Sequence, residues 1–211
     1  MKKVLVFLVI IAFAHQGSAS DSGQHVASVE KDRGNGARVP NPRPSVKETY
    51  EYYEIKGNSE DELRSELCRL GCKWKDGKTY DSVTNWHVKW DYDYNRSAET
   101  CSAEVFRVFV EITFRYPKWV RTDEVPRPLV AKWDNYVKSL VEHESGHRDM
   151  AVAAAAELSL AVAGLPPAPT CAELDNRVRA LCHERMKQLD DDAHAYDIAT
   201  EHGFAQGAVF P

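Results

Sequence analysis

The sequence predicts an α+β fold in which a small antiparallel sheet of about three strands packs against two long helices. Two segments between residues 85 and 114 alternate apolar and polar residues, which is typical of half-buried strands. A long stretch of strong helix formers, residues 129–163, follows them, and a second helical pattern begins after Thr170. The strands therefore precede the helices in the chain, as expected for segregated α+β layers.

The composition predicts one globular domain without a nucleic-acid partner. The chain has 211 residues, of which 43 % are hydrophobic and 28 % are charged. These fractions are near the averages of folded domains, which excludes a disordered, collagen-like or multi-span membrane protein. The formal net charge is -5, so the chain lacks the basic excess typical of proteins that bind DNA or RNA.

The N-terminal segment predicts export. Residues 2 and 3 are lysines, residues 4–14 are apolar and residues 17–19 are small, which together are typical of a signal peptide cleaved near Ala19. The apolar run is too short to span a bilayer, so we expect a periplasmic or secreted protein without stable membrane insertion after cleavage. Residues 20–45 are polar and contain several glycines and prolines, which predicts a flexible linker before a folded domain at 46–211.

The folded domain is predicted to begin with a strand and a short helix. Residues 49–55 are rich in tyrosine and other β-formers and are followed by Gly57. Ser59 and Glu62 form a capping box that predicts the start of a helix. Leucines at helical spacing continue that helix until Gly71, namely Leu63, Leu67 and Leu70.

Two further strands are predicted to form a hairpin. The apolar positions of the first are Trp86, Val88, Trp90, Tyr92 and Tyr94, and those of the second are Phe106, Val108, Val110, Ile112 and Phe114. Residues 95–100 form the turn between them. We expect Pro117 to end the second strand.

The two long helices have recognisable ends. Pro126 and Pro128 precede the first helix, and Gly164 ends it. Thr170 and Glu173 form a second capping box, from which the other helix is expected to run towards Ala193. We expect residues 196–211 to be irregular.

Export makes disulfides possible among the five cysteines, Cys68, Cys72, Cys101, Cys171 and Cys182. We predict a bond between Cys171 and Cys182, because both lie near the start of the last helical segment and their short spacing favours pairing. Either Cys68 or Cys72, one helical turn apart, could then face Cys101. A zinc site at Cys68 and Cys72 is disfavoured, since no second cysteine pair lies nearby.

The long helix contains the motif His143-Glu144-Ser145-Gly146-His147, which is an H-E-x-x-H pattern. Histidines four residues apart project from the same face of a helix, so His143 and His147 can bind one zinc ion. Glu144 is the expected general base for a zinc-bound water. Gly146 costs the helix about 1 kcal/mol relative to alanine, so we expect a backbone or a substrate to approach closely there.

A catalytic zinc site usually has three protein ligands. A histidine six residues after the motif is excluded because Ala153 occupies that position. Three glutamates in the helical segments are candidates for the third zinc ligand but are more simply explained as solvated surface charges, namely Glu157, Glu173 and Glu184. We predict His202 as the third ligand, with Asp197 as the alternative; if His202 binds the metal, Asp197 would orient a ligand imidazole.

Several segments resemble a bacterial family described as predicted secreted zinc-dependent proteases. The resemblance lies in residues 50–55, 70–71, 84–90, 117–119, 133–147 and 196–203. It covers most of the chain from residue 49 onwards, and its mechanistically specific part is the H-E-x-x-H motif. The resemblance implies a zincin-like metallopeptidase domain.

The predicted function is that of an exported zinc-dependent hydrolase, a metallopeptidase that acts on a peptide or protein substrate. Two alternatives use the same zinc site. One is a zinc amidase that acts on cell-wall peptides, and the other is a non-catalytic envelope protein whose zinc holds the C-terminal segment against the helix. A zinc site open to a cleft would favour catalysis, whereas a fully enclosed site would favour the structural role.

Overall fold

The computed structural model describes residues 43–74, 77–122 and 124–210. The elements are β1 (Ser45–Ile55), α1 (Glu60–Leu70), β2 (Cys72–Lys73), β3 (Thr79–Tyr80), β4 (Val83–Arg96), β5 (Cys101–Trp119), α2 (Arg127–Ala163), α3 (Cys171–Thr200) and a 3₁₀ turn (Phe204–Gln206). The predicted signal peptide, residues 1–19, lies outside the described residues, as does most of the predicted linker. Among the described helices, none is both long enough and apolar enough to cross a membrane.

The fold is α+β, as predicted, but its main sheet is mixed rather than antiparallel. The strand order is β1-β5-β4. The predicted hairpin is confirmed, since β4 pairs antiparallel with β5, whereas β1 pairs parallel with β5. Alternating apolar residues specify the buried face of a strand but not the direction of its neighbour. The chain between β1 and β5 contains α1 and β4, which give the connection the length that a parallel pair needs.

Strand β5 does not end at Pro117 but continues to Trp119. Pairing with β4 ends where Val83 lies opposite Arg115, whereas pairing with β1 continues, with Pro117 opposite Tyr53. At Pro117 the strand is therefore paired on one side only. A residue without an N–H group is tolerated at such a position.

Both predicted capping boxes are confirmed. The side chain of Ser59 accepts a hydrogen bond from the amide of Glu62, and that of Thr170 accepts one from the amide of Glu173. Helix α3, however, continues to Thr200, well beyond its predicted end near Ala193. The part of the chain expected to be irregular from residue 196 onwards therefore begins as the last turn of a helix.

The core lies between the sheet and the two long helices. The apolar face predicted for β4 and β5 is largely buried, including Val88, Trp90, Phe106, Val108, Val110, Ile112 and Phe114. Facing it are buried side chains of α2 and α3, such as Leu140, Leu158, Leu174, Val178 and Leu189. This packing holds the middle of α2, which carries the H-E-x-x-H motif, against the first residues of β4.

The disulfide prediction is wrong: Cys171 is bonded to Cys101, and Cys182 is a free, buried thiol. Cys171 and Cys182 both lie on α3, where a separation of 182 - 171 = 11 residues corresponds to roughly 16 Å along the axis, too far for a disulfide. Backbone hydrogen bonds between Cys101 and Ala168, both of 2.8 Å, bring the start of β5 beside the start of α3.

The expectation that Cys68 or Cys72 pairs is also not met, because both are free thiols. Cys68 is exposed, whereas Cys72 is buried. Burial raises the pKa of the Cys72 thiol to about 11 and that of Cys182 to about 12. Both buried thiols therefore stay protonated and unreactive near neutral pH.

Replacing both Cys101 and Cys171 with alanine is expected to lower the free energy of unfolding by about 4 kcal/mol, because the bond closes a loop of 70 residues. Chemical denaturation of the two proteins measures this difference. Cys68→Ala is the control and should leave stability nearly unchanged. Non-reducing peptide mapping that joined Cys171 to any residue other than Cys101 would contradict the assignment.

Candidate metal centre

Helix α2 places both motif histidines in a buried position beside α3. His143 and His147 are 5 % and 7 % exposed. Their Nε2 atoms lie 3.3 Å and 2.9 Å, respectively, from Oδ1 of Asp197, which is in the last turns of α3. One potential ligand atom from each of the three residues lies within 4.8 Å of the others. The structure thus brings together two imidazoles and one carboxylate.

His202, the predicted third ligand, lies outside this group, whereas the named alternative, Asp197, belongs to it. The Nδ1 atom of His202 is 3.7 Å from Oδ1 of Asp197, and 43 % of the His202 side chain is exposed. Its ring packs instead against the ring of Tyr80, with centroids 4.9 Å apart. Because α3 extends to Thr200, Asp197 falls one turn after buried Ala193, on the helix face directed at α2.

Contacts within the group favour the charged forms of Asp197 and His143. Burial opposes ionisation of Asp197, but hydrogen bonds from the rings of His143 and His147 outweigh it and hold the pKa of this carboxyl well below its usual range. Burial also opposes protonation of His143. The hydrogen bond to Asp197 and the charge of Glu144 outweigh that effect and raise the pKa of the His143 imidazole.

Glu144 is held by two hydroxyl groups that sequence reasoning missed. Its side chain is buried, with one carboxylate oxygen accepting a hydrogen bond from Ser82 (2.7 Å) and the other from Thr84 (2.6 Å). Ser82 directly precedes β4 and Thr84 is the second residue of that strand, so the two side chains are two residues apart and face the same side as Trp86. The alternation along β4 could have predicted the face on which these two hydroxyls lie. It could not have predicted that their partner is Glu144.

The turn that carries Ser82 is itself anchored through Asp81. The Asp81 carboxylate accepts two hydrogen bonds from the Arg64 guanidinium, of 2.8 Å and 2.6 Å, and a further one from the Tyr136 hydroxyl. Tyr53 donates to the Asp81 carbonyl oxygen at 2.7 Å. Side chains from α1, α2 and β1 therefore fix the segment that positions Glu144.

The glycine of the motif makes room for Tyr196. A Cβ atom at Gly146 would lie 2.3 Å from the Tyr196 hydroxyl oxygen. The Tyr196 ring stacks on His143 with centroids 5.1 Å apart and meets the His147 ring edge-on at the same distance. The expected close approach at Gly146 therefore exists, but it comes from a side chain rather than from a backbone or a substrate.

Gly146→Ala is expected to lower the free energy of unfolding by about 1–3 kcal/mol, although alanine normally stabilises a helix interior relative to glycine. The reason is the overlap of the new methyl group with Tyr196. Thermal or chemical denaturation of the metal-free protein measures the change. In a Tyr196→Ala background the same substitution should be neutral or stabilising, and a destabilisation of equal size in both backgrounds would contradict the explanation.

The residue group opens onto a cavity of about 420 Å³. His143, His147, Glu144 and Asp197 all line it. The aromatic side chains on its walls are Trp74, Tyr80 and Trp86. The cluster is therefore accessible from a cleft whose volume falls in the range of ligand-binding sites.

Residues 50–203 match the model of a family described as bacterial protein of unknown function (DUF922). The match begins within β1, includes α1, β4, β5, α2 and α3, and ends at Gly203, just after α3. No curated protein and no solved structure matches this chain. Since the family model covers most of its length, the chain belongs to the DUF922 family of bacterial proteins.

Proposed function

We propose that this protein is an exported zinc-dependent hydrolase, a metallopeptidase with a zincin-like fold. In this proposal His143, His147 and Asp197 hold zinc, and Glu144 is the general base. The observation that carries it is the H-E-x-x-H motif on a helix whose two imidazoles share one carboxylate oxygen at the floor of a cavity.

The donor set fits zinc. Two imidazole nitrogens and one carboxylate oxygen are typical of catalytic zinc sites with three protein ligands. Tetrahedral zinc with bonds of about 2.1 Å spaces its ligand atoms about 3.4 Å apart. Oδ1 of Asp197 lies 2.9 Å and 3.3 Å from the two imidazole nitrogens, which is close to that spacing. Zinc bound there would lower the pKa of water and polarise a substrate carbonyl.

Glu144 has the position expected of a general base. It follows His143 directly in the chain and is absent from the three-residue ligand group. The hydroxyls of Ser82 and Thr84 orient both of its oxygens, which lowers the cost of aligning the carboxylate for proton transfer. It can accept a proton from water and return one to the departing amine nitrogen of a peptide.

The cavity favours catalysis over the non-catalytic envelope role. A zinc that served only to hold α3 against α2 would not need ligands that line an open cleft. The three aromatic walls offer apolar surface to the side chains of a peptide. The Cys101–Cys171 disulfide supports export, because such bonds persist in oxidising compartments.

Metal analysis and peptide cleavage test the proposal. The mature chain, residues 20–211, should bind about one zinc per molecule. It should cleave members of a diverse peptide library that includes cell-wall peptides, lose activity with a chelator and regain it with zinc. A chain that takes up no zinc when zinc is supplied would overturn the metal site. A zinc-loaded chain that cleaves nothing in the library would overturn the peptidase assignment in favour of the envelope role.

A further inference from the structure

We propose that Gln206 is a positioning residue for the metal site, because its carboxamide holds the His143 ring with Nε2 directed at the metal. The inference rests on the proposed function, since it concerns the same zinc. Gln206 lies beyond residues 50–203, the part of the chain that matches the family model. No motif in the sequence indicates a role for it.

The central contact joins Gln206 to the ring nitrogen of His143 that faces away from Asp197. Oε1 of Gln206 is 2.9 Å from Nδ1 of His143. A carboxamide oxygen can only accept a hydrogen bond, so Nδ1 must carry the proton. In the metal-free protein Nε2, which is 3.3 Å from Oδ1 of Asp197, donates to that carboxylate, and zinc would take the place of this proton. The hydrogen bond to Gln206 thus keeps the other proton on Nδ1 and leaves Nε2 as the nitrogen that can bind zinc.

Tyr196 determines which end of the carboxamide faces His143. The Tyr196 hydroxyl lies 3.3 Å from the backbone carbonyl oxygen of His143, to which it can only donate. It accepts a hydrogen bond from Nε2 of Gln206, at 3.1 Å, whereas Oε1 of Gln206 is farther from the hydroxyl, at 3.4 Å. With the amide nitrogen directed at Tyr196, the amide oxygen faces His143. The three side chains form one hydrogen-bonded unit around the ring.

A left-handed turn brings Gln206 back over α2. Glu201 and His202 have φ angles of 52° and 53°, and Gly203 has a φ of 85°. A Cβ atom at Gly203 would lie 3.1 Å from Cγ of His143, so the turn packs directly on the ring. Positive φ is strained for a residue other than glycine, so contacts around the ring must offset the strain at Glu201 and His202.

The two imidazoles proposed as ligands differ in the hydrogen bonds of their Nδ1 atoms. Within the described part of the chain, Nδ1 of His147 is buried without a hydrogen-bond partner. For Nδ1 of His143 the next acceptor after Gln206 is the Thr200 hydroxyl, at 3.4 Å. Removing the Gln206 carboxamide therefore leaves neither imidazole with a short hydrogen bond to an acceptor that orients it for the metal.

Zinc affinities of position-206 variants test this role. Gln206→Leu should weaken zinc binding by about 10–100-fold, the usual effect of losing a partner that orients a ligand. Gln206→Glu keeps an acceptor at the same place and should bind zinc at least as tightly as the wild type. Gln188→Leu, on the exposed surface of α3, is the matched control and should leave affinity unchanged. If Gln206 acts only through packing, the leucine and glutamate variants should instead lose zinc affinity to the same extent.

Chelator competition gives the affinities, and thermal unfolding of the metal-free proteins checks folding. Should Gln206→Leu not fold, Gln206→Asn, whose amide is one methylene shorter, should show the same loss. In the Co²⁺-substituted wild type, the Nδ1–H proton of His143 should exchange slowly with water, and in the leucine variant it should exchange rapidly. If the leucine and asparagine variants bind zinc as tightly as the wild type, this inference alone is overturned. Absence of zinc uptake by the wild type would overturn the proposed function as well.

Discussion

Glu144→Gln is expected to lower kcat/KM for peptide cleavage by at least about 10²–10⁴-fold while zinc stays bound. Glutamine has nearly the same shape as glutamate but cannot accept a proton from water. The hydroxyls of Ser82 and Thr84, which now donate to the carboxylate, can rotate to accommodate the amide, so the fold should be kept. Steady-state kinetics and metal analysis of the same preparation measure both properties.

The matched control is Glu142→Gln, an exposed glutamate two residues earlier on α2. This change removes the same charge from the same helix and should leave kcat/KM nearly unchanged. Full activity of the Glu144→Gln variant would contradict the assignment and place the base elsewhere. Loss of zinc from that variant would make Glu144 a metal ligand instead.

Asp197→Ala is expected to weaken zinc binding by roughly 150-fold. Zinc sites contribute about 10–16 kcal/mol through four ligands, so one ligand accounts for roughly 3 kcal/mol. Asp197 is also the only carboxylate of the three-residue group in the described part of the chain. Removing it leaves two neutral imidazoles that hold a divalent cation without a compensating charge. Competition with a chelator of known affinity gives the dissociation constants.

His202→Ala distinguishes the two candidates for the third ligand. The His202 ring packs on Tyr80 and is 43 % exposed, so its removal should change zinc affinity by less than about threefold. Both variants need a check of folding by thermal denaturation without metal. A large loss of zinc in His202→Ala together with an unchanged Asp197→Ala would restore His202 as the ligand.

The sequence by itself determined the features that depend on neighbours within a few residues. Ser59 and Thr170 start their helices because a capping side chain needs only an amide three residues ahead. The alternation along β4 and β5 determined their buried face. The spacing of His143 and His147 determined that both imidazoles project from one side of α2. These predictions hold because helical and strand geometry repeat at fixed periods.

Tertiary structure alone decided which distant groups meet. Glu144 and Ser82 are 62 residues apart, His143 and Gln206 are 63 apart, and the disulfide joins residues 70 apart. Tertiary structure also decided the direction of β1 and the extension of α3 to Thr200. That extension brings Asp197 rather than His202 to the imidazoles. A periodic pattern states which face of an element is buried. The partner packed against that face depends on how the whole chain closes around its core, and a local pattern does not encode that partner.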